Sequence, residues 1–227
     1  YLCRAHYYGA TKATLQGLLG LTSRKAPKVE LAPGLEPLRE DASADGTPLV
    51  ALARDATKHA LGFARAALLV EIHEDSPTPR LALYSAASLL SVRRTVRAGV
   101  ETITRAVLSQ EYTETDQADE WREVCGVEWL VLDLDGGIYR QRVYRKAKDR
   151  DGKESLVLVR ESYPRPLGSP GLDFLPLVVF GCSRVGTAIE EPPLLALAEE
   201  NVRHYRQDAD IAHGLHMTAL PTPWFAG

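Results

Sequence analysis

The sequence predicts an α+β fold, with helices at both ends and an antiparallel sheet between them. Three observations predict it. Residues 192–217 place apolar or small side chains at Leu194, Ala198, Val202, Tyr205, Ala209, Ala212 and Leu215, spaced by fours and threes, which is the stripe of one long helix. Residues 80–180 break into apolar segments, several alternating with period two, joined by hairpin signals at Asp135-Gly136-Gly137 and Asp149–Lys153. Residues 1–72 carry Leu and Ala at helical spacing and end in a continuous apolar run of the kind a buried strand shows. The chain is therefore expected to be one α+β unit over 1–227, divided into 1–72, 80–180 and 190–217.

The elements follow in order. Residues 1–20 predict a first helix, closed by Gly17 and Gly20, then a basic turn at Arg24-Lys25 and a short extended piece, Lys28 to Leu31. One helical turn is expected near Glu36 to Arg39. Thr47-Pro48 marks a second helix, with Thr47 as cap and Pro48 at the first helical position; Leu49, Leu52, Ala53, Ala56 and Ala60 form its apolar side as far as Gly62. Ala64 to Ile72 is the buried strand. Strands of a meander are expected at Arg80–Tyr84, Val100–Glu111, Val127–Leu134, Ile138–Lys146, Ser155–Tyr163 and Phe174–Phe180. A Pro/Gly-rich bend, Pro164 to Pro170, precedes the last of them. The long helix then opens on Pro192-Pro193, where the missing amides cost little. Glu190, Glu191, Glu199 and Glu200 crowd its positive end, and Pro221-Thr222-Pro223 stops it. At about 1.5 Å per residue it runs on the order of 35 to 40 Å, a rod whose stripe needs a partner.

Composition bounds the function. With 45% apolar and 25% charged residues the 227-residue chain has the balance of a soluble globular protein. No apolar run reaches the roughly 18 residues of a membrane span, and no basic, apolar leader is present. Cys3, Cys125 and Cys182 are too few and too scattered for a disulfide framework or a CxxC zinc module. A net charge of -3 gives the surface as a whole no reason to grip nucleic acid. Because the chain opens at Tyr1 without methionine and closes on Trp224-Phe225, it is expected to be the interior of a longer protein.

Few residues suggest chemistry. His204, Asp208, His213 and His216 lie along the long helix, and His213 and His216 have the i, i+3 spacing that points two imidazoles to one side. No HExxH accompanies them, and a histidine near a helix C-terminus is favoured by the dipole alone. Ser85, Ser88 and Ser91 lack a nucleophile elbow, Cys125 has no neighbouring histidine, and no phosphate-binding glycine loop occurs. Glu111, Glu114, Asp116, Asp119, Glu120 and Glu123 surround Trp121 in a stretch that reads as solvated. The basic stretch is more pointed: Arg140, Arg142, Arg145, Lys146 and Lys148, continued by Arg150 and Lys153, with Tyr139 and Tyr144 between them. Arg140 and Arg142 alternate with Gln141 and Val143 and so share the outer face of a half-buried strand. Three uses fit them: a charged, protected edge, a DNA phosphate contact, or a contact with an acidic neighbouring subunit.

One string goes further. Pro192-Pro193-Leu194-Leu195, Asn201, His204-Tyr205-Arg206, Ala209-Asp210, His213-Gly214-Leu215-His216, Ala219 and Pro221-Thr222-Pro223 together resemble a family of tailed-phage and prophage proteins, long filed as a domain of unknown function and similar to phage portal proteins. Tyr1-Leu2, Arg4-Ala5, Tyr7-Tyr8, Thr14, Gly17-Leu18 and Gly20 resemble it too, as do Leu68-Leu69-Val70 and Pro164, Pro166 and Gly168; Ser91 departs, standing where a tryptophan is expected. The resemblance implies a structural role: a homo-oligomeric ring, commonly dodecameric, at one capsid vertex. Double-stranded DNA passes through it without sequence specificity, and terminase, neck or adaptor and capsid proteins attach to it. It implies no cofactor, no enzyme activity, no membrane, and a place in the virion after assembly in the host cytoplasm. Two rivals stand beside it: a head-tail adaptor or minor capsid protein, and a metal-dependent phage hydrolase using His204, His213 and His216.

Overall fold

A computed structural model describes residues 5–72, 78–97, 99–115, 119–148, 154–166 and 168–218. Helix α1 (Ala10–Thr22) is followed by a 3-10 turn (Pro33–Arg39), helix α2 (Leu49–Phe63) and strands β1 (Ala66–Glu71) and β2 (Arg80–Ser85). Then come β3 (Leu89–Arg97), β4 (Val100–Thr115), β5 (Glu123–Asp135), β6 (Ile138–Lys148), β7 (Glu154–Ser162) and β8 (Leu177–Phe180), before helix α3 (Leu195–Thr218). The fold is α+β, as the two periodicities predict.

The strands do not form one meander. They make two antiparallel sheets, one of three strands in the order β2-β1-β8 and one of five in the order β3-β4-β5-β6-β7. The meander is therefore β3 to β7, while β2 and β8, expected within it, flank β1 in the smaller sheet. Strand β1 is the centre of that sheet, which explains its unbroken apolar run: Ala66, Ala67 and Leu69 have no exposed surface. Strand β3 was not expected at all. Register shifts interrupt its pairing with β4 between Leu89 and Ser91 and between Arg93 and Arg94, so the period-two signal is broken twice in nine residues.

The core lies between the sheets. Ala67, Leu69, Tyr84, Leu177 and Val179 of the small sheet meet Leu89, Ala106, Leu108, Leu130, Leu132, Tyr139 and Val143 of the large one, with Leu175 beside them. Helix α2 packs against β1 and β2, α1 against α2, and α3 against α1. Two residues, Ala64 and Arg65, join α2 to β1: Ala64, buried and left-handed at φ 50°, donates its N–H to the Ala60 carbonyl at 2.8 Å and turns the chain toward the strand. Two helix starts differ from expectation. Residues Ala5–Gly9 are not helical, and α1 begins at Ala10. Helix α2 begins at Leu49, with Pro48 rather than Thr47 as its extended N-cap and no side-chain cap.

Candidate functional site

The long helix carries the first candidate. Its 24 residues span about 36 Å at about 1.5 Å each. Of the expected stripe, Leu194 and Ala209 are buried and Ala198, Tyr205 and Ala212 half-buried, but Val202 is 42% and Leu215 63% exposed. The buried line instead runs through Leu194, Asn201 and Ala209, with Leu197, Tyr205 and Asp208 half-buried along it. Asn201 donates its side-chain N–H to the Tyr7 hydroxyl at 2.6 Å. The Tyr7 and Tyr205 rings meet edge to face with centroids 5.5 Å apart, and Asp208 accepts the His6 amide at 2.8 Å. The face that α3 buries is therefore rotated toward two polar residues, which find partners in the segment leading into α1. A search for apolar spacing passes over such residues. Their one sequence signal is the spacing of seven from Leu194 to Asn201 to Asp208.

The histidines do not converge. His204, His213 and His216 are all exposed, Asp208 is engaged by His6, and nine residues of helix separate His204 from His213 by about 13 Å. A zinc-sized ion holds its ligands at about 2 Å, so these side chains cannot share one. Among the described residues no group of three His, Cys, Asp or Glu side chains has metal-holding geometry. The other chemical candidates are equally dispersed. Glu111 and Glu114 end β4, Asp119 accepts the Trp121 amide, Trp121 itself is 88% exposed, and Asp116 lies outside the described residues. Ser85 and Ser88 bond one another across the β2–β3 turn, and Cys125 contacts Thr113.

The basic cluster is divided between two faces of the large sheet and neutralised on both. Tyr139 and Val143 point into the core, so Gln141 and Arg145 share their face while Arg140 and Arg142 take the other. On the outer face Asp133, opposite Arg140 in register, receives three guanidinium groups: Arg140 at 3.0 Å, Arg142 at 2.5 Å and Arg105 at 3.4 Å. Burial pushes the Asp133 carboxyl up, but the Arg140 and Arg142 guanidinium groups outweigh it and hold the carboxyl below its usual range. Arg140 also reaches Asp135 and Glu161, each at 3.1 Å. Lys146 pairs with Glu154 across β6 and β7, and the side chain of Lys148 lies outside the described residues, as do Arg150 and Lys153. The stretch reads as basic only along the sequence, since its counter-charges come from neighbouring strands.

On the inner face a polar chain links the two sheets, and no sequence pattern announced it. The Tyr84 hydroxyl donates to Gln110 Oε1 at 2.9 Å, Gln110 Nε2 to Glu128 Oε1 at 2.7 Å, and Arg145 Nε to Glu128 Oε2 at 2.8 Å. Arg145 also binds Glu114, and its guanidinium carbon stands 3.7 Å from the centroid of the Tyr112 ring. That ring crosses Gly126, where an added Cβ would come within 2.7 Å of it. Glu128 is buried, and Gln110 and Arg145 each satisfy one of its carboxylate oxygens.

A family model described as Domain of unknown function (DUF4055) matches residues 193–227. The match covers α3 from its leading proline onward and the residues beyond it. No curated protein matches the chain. Among the described residues no helix is long and apolar enough to cross a membrane.

Proposed function

We propose that the chain is a portal-type subunit of a tailed phage or prophage, one copy of a ring through which DNA enters and leaves a capsid. The resemblance of residues 192–223 to that family supports the reading, and the DUF4055 match falls on the same segment. One observation carries it further. Helix α3 packs on α1 along one line and leaves Val202, Ile211, Leu215 and Met217 between 42% and 63% exposed on its flanks. Long helices standing side by side around a channel cover such flanks with one another. In this reading the subunit moves no bonds, takes no cofactor, and meets terminase, adaptor and capsid proteins at a capsid vertex, with DNA passing through without sequence specificity. The basic strand then serves the subunit internally, through Asp133 and Glu128.

Negative-stain electron microscopy of the purified protein, paired with sedimentation, tests the reading. Rings with a central channel are expected, twelve-fold for a portal. A protein that stays monomeric at high concentration overturns it. Val202→Asp should abolish ring formation while leaving the subunit folded, because the charge lands in a contact between copies. Glu200→Ala should form rings as the parent does, because it shortens an exposed side chain and puts no new charge into that contact.

A further inference from the structure

The segment that leads into α3 is held by a small receptor built for a carboxylate. After β8 the chain closes a tight turn: Phe180 bridges Val185, and the Gly181 N–H donates to the Arg184 carbonyl at 2.9 Å. Residues 186–194 then cross back toward α3 as an irregular strap. Val185 in the turn and Ile189 in the strap are open to solvent, 75% and 79% exposed. The Glu190 side chain, by contrast, is only 9% exposed although it carries a charge that water would otherwise solvate.

The turn supplies what water would. Glu190 Oε2 accepts the Cys182 N–H at 3.0 Å, the Ser183 N–H at 3.0 Å and the Cys182 thiol at 3.1 Å, while Oε1 accepts Arg184 Nε at 3.1 Å. Successive backbone N–H groups converging on one oxygen, backed by a guanidinium, form an anion-binding concavity. Its floor is Gly181, where a Cβ would lie 2.6 Å from the Glu190 carboxylate, so any side chain there would displace the carboxylate. The electrostatics agree, since donation by the Cys182 thiol and by the Ser183 amide holds the Glu190 carboxyl at about 2, well below its usual range. The same contact raises the Cys182 thiol, which keeps its proton and remains a donor.

We propose that Gly181–Arg184 is a carboxylate-receiving latch, occupied by Glu190 of the same chain, that locks the strap 186–194 to the small sheet and so fixes the base of α3. A second tie lies two residues after Val185, where Arg94 of β3 donates to Thr187 Oγ1 at 3.0 Å. The latch residue stands just ahead of the family-matched segment, so releasing it frees that segment's base from the sandwich while α1 still holds the helix side-on. The inference concerns the single chain and does not rest on the ring.

Hydrogen exchange on the full chain, read amide by amide, tests it. In Glu190→Ala the amides of Cys182 and Ser183 should exchange about tenfold faster or more, the strap should follow, and the amides of β5 and β6 should keep their parent rates. Sodium formate, a free carboxylate of the right shape, should slow Cys182 and Ser183 again in that variant without slowing the strap, because it refills the receptor but not the tether. Gly181→Ala keeps every charge and only fills the receiving space; it should show the same local acceleration. Unchanged exchange at Cys182 and Ser183 in both variants overturns the latch, as does acceleration spread evenly over the large sheet. No effect of formate on Glu190→Ala overturns the receptor.

Discussion

Replacing Asp133 with asparagine separates the internal use of the basic strand from any use outside the subunit. The substitution keeps shape and hydrogen-bonding atoms but removes the one negative charge on which Arg105, Arg140 and Arg142 converge, at a side chain only 4% exposed. Removing one partner of a buried ion pair costs about 3 to 5 kcal/mol. The lower end applies here, because the arginine side chains are 18 to 43% exposed and Arg140 keeps Asp135 and Glu161. At about 3 kcal/mol, and 2 to 4 °C per kcal/mol for a chain of this length, the melting temperature should fall by about 6 to 12 °C. Calorimetry measures that directly. The second readout is binding to duplex DNA by fluorescence anisotropy across a salt series. Freeing Arg105 and Arg142 adds two cations able to meet phosphates, which should steepen the slope of log affinity against log salt by about 2. A melting temperature lowered by less than about 2 °C would show that Asp133 does not hold these arginines. A parent protein whose salt slope is already as steep as the variant's would show that they are free to meet DNA.

Other perturbations follow from the same geometry. Gly126→Ala sets a Cβ 2.7 Å from the Tyr112 ring and should cost about 1 to 3 kcal/mol by overpacking, seen as a lower denaturant midpoint with an unchanged slope; an unshifted midpoint would mean the ring moves aside freely. Asn201→Leu removes the bond to the Tyr7 hydroxyl and leaves that hydroxyl without its donor, so a loss of about 1 to 2 kcal/mol is expected although the change is from polar to apolar; a gain in stability would refute the polar docking of α3. The Glu190 carboxyl is depressed in the folded chain, so its contribution is fully present above the ordinary carboxylate range and is lost as pH falls toward about 2. Exchange at Cys182 and Ser183, corrected for its intrinsic pH dependence, should therefore speed up on acidification through that window in the parent. It should show no such rise in Glu190→Gln.

The sequence by itself determined the class of this fold and the place of most of its elements. Helical spacing located α2 and α3, and Gly-rich turns located the β5–β6 hairpin, because local periodicity and turn chemistry act over a few residues. It also marked residues 192–223 as the segment with a family likeness. It did not determine partners. The continuous apolar run of β1 announced burial, but only tertiary packing decided that β1 lies between β2 and β8, since nothing local tells a strand which distant strand to join. Val202 and Asn201 show the same limit within one helix. Apolar spacing chose Val202 as buried, whereas the structure buries Asn201, because Tyr7, nearly two hundred residues away in sequence, brings the hydroxyl that accepts its amide. The basic strand is the clearest instance. A run of arginines in sequence reads as free positive charge, but Asp133 and Glu128 on one neighbouring strand, Glu161 on the other and Glu114 one strand beyond meet those arginines only after register is set. Charge is a property of composition; whether it is available to a partner depends on distances that only the assembled sheet defines.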